Sequence, residues 1–129
     1  MSTTDMADLD EVTALIQLYI DGSNGDVAKL EAAFHPDAWM MGHIGPMDTY
    51  MPITEFFKMV AAQPGMAGPS YRAVIRSIDL AGDAGVAVLV ESDYLGCDFV
   101  DFFAVARIDG RWMITNKTYA HTGGAPPSH

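Results

Sequence analysis

The sequence predicts an α+β fold in which about three N-terminal helices pack on one face of a curved antiparallel sheet. Three observations lead there. Apolar residues at helical spacing occupy the first half of the chain, whereas β-branched and aromatic runs occupy the second. The turns between those runs are short, which makes consecutive strands antiparallel neighbours. Helices followed by strands, rather than alternating with them, pack on one face of a sheet. At 129 residues the chain has room for one domain. It is expected to span residues 1–122, and the Gly- and Pro-rich end, residues 123–129, is expected to be a flexible tail.

Leu9, Val12, Leu15, Ile16 and Tyr19 recur at spacings of three and four and form the stripe of a first helix, with Gly22 as its stop. Asp5, Asp8, Asp10 and Glu11 crowd its start, where they can cap free N–H groups and oppose the helix dipole. Asp26 is placed to cap a second, short helix with the face Val27, Leu30, Ala33 and Phe34, ended by His35-Pro36-Asp37. Ala38 to Met41 reads as a short strand broken by Gly42 and Gly45. Pro52 suits the first turn of a third helix carrying Phe56, Phe57 and Val60, and Gln63 to Pro69 is then a loop. Four strands follow, Tyr71 to Leu80, Val86 to Tyr94, Phe99 to Ile108 and Trp112 to Tyr119, parted by Gly82-Asp83, Gly96 and Asp109-Gly110.

Charge narrows the partners. Seven Lys and Arg against 17 Asp and Glu give a net charge of −10, which is the wrong sign for nucleic acid or an anionic membrane surface. No apolar stretch reaches the roughly 20 residues needed to cross a bilayer. The acidic N-terminal residues are unlike a secretory signal, and the lone Cys97 forms no disulfide framework, so the expected compartment is the cytoplasm. In Phe99 to Ala106 both alternating sets are largely apolar, which implies that both sheet faces are covered. A second copy of the chain, joined through the sheet, is the economical cover for the face the helices leave open.

No strong catalytic signature is present, and neither a metal nor a cofactor is expected. What stands out is polar residues inside apolar runs, because burying an unpaired charge is costly. Asp101 shares a strand face with Phe99, Phe103 and Val105. In the last strand, alternation puts Met113, Thr115, Lys117, Tyr119 and His121 on one face and Trp112, Ile114, Asn116 and Thr118 on the other. If the Asp101 and Lys117 faces coincide, the two enter one cavity and shift each other's pKa; the competing account is a structural ion pair at the sheet edge. His43 and His121 are candidate bases or ligand contacts, whereas His35 and His129 are expected in solvent. Met40, Met41, Met47, Met51, Met59 and Met66 gather around the first strand and third helix. With Trp39, Tyr50 and Phe56 they suggest core packing or an apolar pocket.

The order of elements, with "AAFHPDAWMMG", "PITEFFKMV" and "FFAVARIDGRWMITNKTYAH", resembles the nuclear transport factor two-like superfamily from about Leu9 to His121. It is most similar to the branch labelled lumazine-binding, and the superfamily also holds ketosteroid isomerases and polyketide cyclases. The resemblance implies a curved antiparallel sheet forming a cone, closed by about three N-terminal helices, with a pocket inside. From the isomerases it implies an oxyanion hole at Tyr19 and Asp101, while the position of their general-base aspartate falls on Gly42, leaving His43 to take that role. From the lumazine-binding branch it implies that Asp101 and Lys117 are cavity groups.

Three functions follow. The first is a small-molecule-binding domain with an apolar conical pocket whose converging polar groups are Tyr19, His43, Asp101, Lys117 and Tyr119, and whose wall includes Trp39, Met41, Tyr50, Phe56, Phe103 and His121. The second is an isomerase- or cyclase-like enzyme on a cyclic hydrophobic substrate, with Asp101 and Tyr19 donating to an oxyanion and His43 as base. The third is a non-catalytic dimeric accessory domain. Lys117 and Arg107 offer a hold for one carboxylate or phenolate.

Overall fold

The computed structural model describes residues 3–126, with side chains from Met6 onward. In chain order the elements are α1 (Thr3–Ser23), α2 (Val27–Ala33), β1 (Phe34–Ile44), β2 (Met47–Pro52), α3 (Ile53–Ala62), β3 (Ala67–Ala81), β4 (Ala84–Tyr94), β5 (Cys97–Ile108) and β6 (Arg111–Gly124). The α+β class and the three helices stand as read. The sheet has six strands in the order β2-β1-β6-β5-β4-β3, curved and unclosed. Every pairing is antiparallel except β1 with β6, which is parallel, so the sheet is mixed rather than purely antiparallel.

The α1 stripe buries Val12, Leu15, Ile16 and Tyr19 as its spacing requires. Gly22 ends nothing by itself: the helix runs on to Ser23, and a Cβ at Gly22 would lie 2.8 Å from Leu30, so the glycine lets α2 approach. Asp26 caps α2, accepting from the Lys29 amide. That helix stops at Ala33, earlier than expected, and Phe34, His35, Pro36 and Asp37 already belong to β1. The expected tail also begins late, since Gly123 and Gly124 still pair with Asp98 and Cys97; residues 127–129, including His129, lie outside the described residues.

Two elements escaped the sequence reading. The first is the β1–β2 hairpin. Gly42 does not break β1 but lies in it, and Gly45, at φ +57°, opens the turn into β2. Met47 to Pro52 carries Met, Asp and Pro, which are poor strand signals, and only pairing with β1 makes it a strand. The second is a bulge in β6. Ala104 pairs with Asn116 and Val105 with Ile114, so Thr115 has no partner residue, and its hydroxyl donates to the Ala104 carbonyl at 3.3 Å. The extra residue reverses the alternation. Trp112 and Ile114 therefore share the inner face with Lys117 and Tyr119, not the outer face with Asn116 and Thr118.

Of the acids read as capping the start of α1, Asp8 does something else. It is buried, and its Oδ1 accepts from Arg107 Nη1 at 2.7 Å and from Trp112 Nε1 at 3.2 Å, pinning α1 to β5 and β6. Arg107 also pairs with Asp83, so it is a structural tie and not a ligand contact. The side chain of Asp5 lies outside the described residues.

Candidate functional site

A cavity of about 180 Å³ lies between α1, α3 and the inner face of the sheet, its apolar wall supplied largely by Met40, Met51, Phe56, Met59, Met66 and Phe99. Its polar groups come from the central strands, where inward positions are driest. Asp101 (β5), Lys117 and Tyr119 (β6) and Glu91 (β4) all face inward and are buried, and Tyr19 enters from α1. Asp101 stands opposite Tyr119 and Leu89, Lys117 opposite Phe103, and Glu91 opposite Phe99, so the two acids and the lysine are diagonal neighbours on one face.

The hydrogen bonds divide these groups. Lys117 Nζ donates to Tyr19 Oη at 2.6 Å and sits 4.7–5.2 Å from the ring centres of Phe56, Tyr19 and Tyr119, a cation held by three aromatic faces. Tyr71 donates to Glu91 Oε2 at 2.6 Å, Tyr94 to the Ser23 carbonyl at 2.8 Å, and Tyr119 Oη pairs with Thr49 Oγ1 at 2.6 Å. Among the described residues Asp101 Oδ2 is buried without an N–H or hydroxyl donor, and Glu91 is the carboxyl beside it that can share a proton with it.

Burial above all, and then the adjacent Asp101 carboxyl, hold Glu91 well above the ordinary carboxylate range, with the Lys117 charge and the Tyr71 hydroxyl pulling the other way. Burial also pushes the Tyr19 phenol well above its usual value, reinforced by the charges of Asp101 and Glu91. Tyr19 is thus a neutral phenol, and Glu91 tends to keep its proton.

Tyr19, Asp101, Phe56, Lys117 and Tyr119 line the cavity, as the sequence suggested. The account of Asp101 and Lys117 as an ion pair at a sheet edge does not hold: β5 and β6 are interior strands, and Lys117 bonds to Tyr19 instead. Phe103 is core, packed behind Tyr19 at 4.8 Å between ring centres. Trp39, Met41 and Tyr50 are not cavity residues. They lie on the opposite face of the hairpin, where Trp39 and Tyr50 pack on each other in solvent. Met40, one residue along, takes the place assigned to Met41. His43 also points out, its side chain 71% exposed and bonded to Asp48 at 2.6 Å. His121 sits behind the hairpin turn, accepting from the Gly45 amide at 3.0 Å. His35, expected in solvent, is half-buried and accepts from the Asp37 amide.

Glu91 is the main residue the sequence reading missed. It stands in the run Val86 to Tyr94 at the same parity as Ala87 and Leu89, both buried. A lone acid on that parity was the available signal. No group of three or more His, Cys, Asp or Glu among the described residues is arranged to hold a metal ion, and no described helix is long and apolar enough to cross a membrane.

The family described as "Putative lumazine-binding" matches residues 7–120. The chain belongs to that family. It is similar to a nuclear transport factor two-like protein of unknown function from Silicibacter pomeroyi, 26% identical, with a TM-score of 0.82 over 95% of this chain and all of the other. A ketosteroid isomerase-like protein from Erwinia carotovora atroseptica, 13% identical with a TM-score of 0.67 over 90% of this chain and 97% of the other, shares the fold. In sequence the chain is also 24% identical to the aldolase FrzH of a Cladobotryum species, over 88% of this chain and 90% of that protein.

The raised Glu91 gives a pH signature with a definite sign. The folded protein holds a proton that the unfolded chain releases near the ordinary value of 4.5, so stability contributed by this group is full below that pH and declines above it until the folded value is passed. In urea unfolding at pH 5 to 8, Glu91→Gln should flatten the decline relative to wild type. Parallel curves would show that Glu91 ionises freely in the folded state.

Proposed function

We propose that this protein binds a small, mostly apolar molecule in the cavity between α1, α3 and the sheet. The observation that carries this reading is the combination of methionine and aromatic walls with a buried floor of Asp101, Glu91, Lys117 and Tyr19. A core built for stability alone would be more stable with hydrocarbon there, because each buried polar group must recover its lost hydration. The family's description and its shared fold fit the same reading. Methionines adapt to irregular ligand shapes. Native mass spectrometry of the purified protein should find a retained small molecule, and Met59→Trp, which narrows the cavity, should reduce its occupancy about tenfold. Absence of any bound mass and of any saturable uptake of apolar compounds would sink the reading.

A second reading is an enzyme acting at the carbon beside a carbonyl, an isomerase- or cyclase-like acid/base reaction on a cyclic substrate. It is favoured by Tyr19, a neutral phenol, standing in the same cavity as the buried Asp101, and by the sequence similarity to an aldolase. His43 is too far out in solvent to be its base, so Asp101 takes the proton while Tyr19 donates to the carbonyl oxygen. Exchange of the α-hydrogens of 2-tetralone in D2O, followed by NMR, should be accelerated by wild type and at least tenfold less by Asp101→Asn. Equal rates would leave the protein a binder.

A second copy of the chain is the proposed partner. The outer face of the sheet presents Val74, Val86, Val90 and Phe102, each 36–47% exposed, a connected apolar surface of the kind that marks an interface. Light scattering should give twice the 13.9 kDa chain mass, and Phe102→Lys should return it to monomer. A wild-type monomer at every concentration would exclude the dimer. The buried free thiol of Cys97 suits a cytoplasmic setting.

A further inference from the structure

Resting on the binding reading above, we infer that Lys117 is a nucleophile, whose amine forms an imine with an aldehyde or ketone group carried by the cavity's occupant. Two observations set this lysine apart. It is buried and lines the cavity, whereas Lys29 and Lys58, the other two lysines of the chain, lie in solvent. Those exposed lysines are both ion-paired, with Asp21 at 3.4 Å and Glu55 at 3.0 Å, yet Lys117 makes no ion pair among the described residues. A buried ammonium kept for structure alone has the greatest need of a carboxylate, because removing its charge from water is costly. The hydrogen bond of Lys117 goes instead to Tyr19, a neutral phenol.

The surroundings suit an amine that reacts. The rings of Phe56, Tyr19 and Tyr119 hold Nζ in place at 4.7–5.2 Å from their centres and keep water from it. As a neutral amine it keeps one N–H on Tyr19 Oη and retains a second N–H and its lone pair. Lysines desolvated in apolar pockets are the ones that attack carbonyl carbon. Asp101 faces into the same cavity and supplies the carboxylate that the proton transfers require. The walls of methionine and aromatic rings select carbonyl compounds with an apolar body.

The step is a condensation, with no change of oxidation state. Asp101 takes the surplus proton of the ammonium, and the freed nitrogen attacks the carbonyl carbon. A carbinolamine forms as an N–H proton moves to the oxygen. Asp101 then returns its proton to that hydroxyl, which leaves as water while the C=N bond closes. The product is a protonated imine, so the positive charge stays where the three rings hold it.

Reductive trapping on the full chain tests this. p-Tolualdehyde with cyanoborohydride should add the mass of the aldehyde less one oxygen, and peptide mapping separates the labelled lysines from the N-terminal amine. Lys117 should be labelled about tenfold or more faster than Lys29 and Lys58; access alone predicts the reverse order. p-Xylene, which has the shape of the aldehyde without its carbonyl, should slow labelling of Lys117 by competition, and Lys117→Arg should abolish it. Should that variant fail to fold, the ranking of the three lysines within the wild type still decides. Labelling of Lys117 no faster than of Lys29 and Lys58, with calorimetry showing uptake of p-xylene, overturns this inference and leaves the binding reading intact. Absence of both preferential labelling and p-xylene uptake overturns both.

Discussion

Everything at the centre of this molecule is arranged around three ionisable side chains on the dry face of three adjoining strands. Asp101, Glu91 and Lys117 occupy positions that elsewhere on the same face belong to Leu89, Phe99, Phe103 and Ile114. Their burial is tolerable only because aromatic groups surround them. Tyr71 donates to Glu91, Tyr19 Oη accepts a hydrogen bond from Lys117, and three rings face the ammonium. The helices follow from this demand. α1 is positioned by its apolar stripe so that Tyr19 arrives over the sheet, and α3 brings Phe56 to the other side of Lys117.

The ties that fix α1 are as polar as the site it serves. Asp8 binds Arg107 and the Trp112 indole near one end of the helix, while Tyr94 binds the Ser23 carbonyl near the other. Buried hydrogen bonds of this kind specify one register of helix on sheet, where an apolar stripe alone would allow sliding. Tyr19 lies between the two ties, so its hydroxyl is placed by both.

The architecture was legible wherever a pattern extended over many residues. The Leu9 to Tyr19 stripe and the four C-terminal strand runs each repeat one period over many residues, and the Asp26 cap marks the start of the next helix. The failures came from single residues that change phase. One unpaired residue, Thr115, moved Trp112 and Ile114 to the inner face, and a one-residue error of parity put Met41 in the cavity instead of Met40. Asp101 and Lys117 were found because charge inside an apolar run is conspicuous. Glu91 stood inside the run Val86 to Tyr94 at the parity of Ala87 and Leu89 and was equally conspicuous, but it was not singled out. The histidines misled for another reason: side-chain chemistry was read without direction, and direction is settled by the hairpin that the sequence concealed.

Gly42 limits how the edge hairpin can vary. A Cβ there would fall 2.7 Å from the ring of Tyr119, which crosses β1 at this point to reach Thr49 on β2. The volume that any side chain at residue 42 would need is already filled by this phenol from β6. A larger residue there and the Tyr119–Thr49 contact exclude one another, so the seam between β1, β2 and β6 tolerates change at residue 42 only together with change at residue 119.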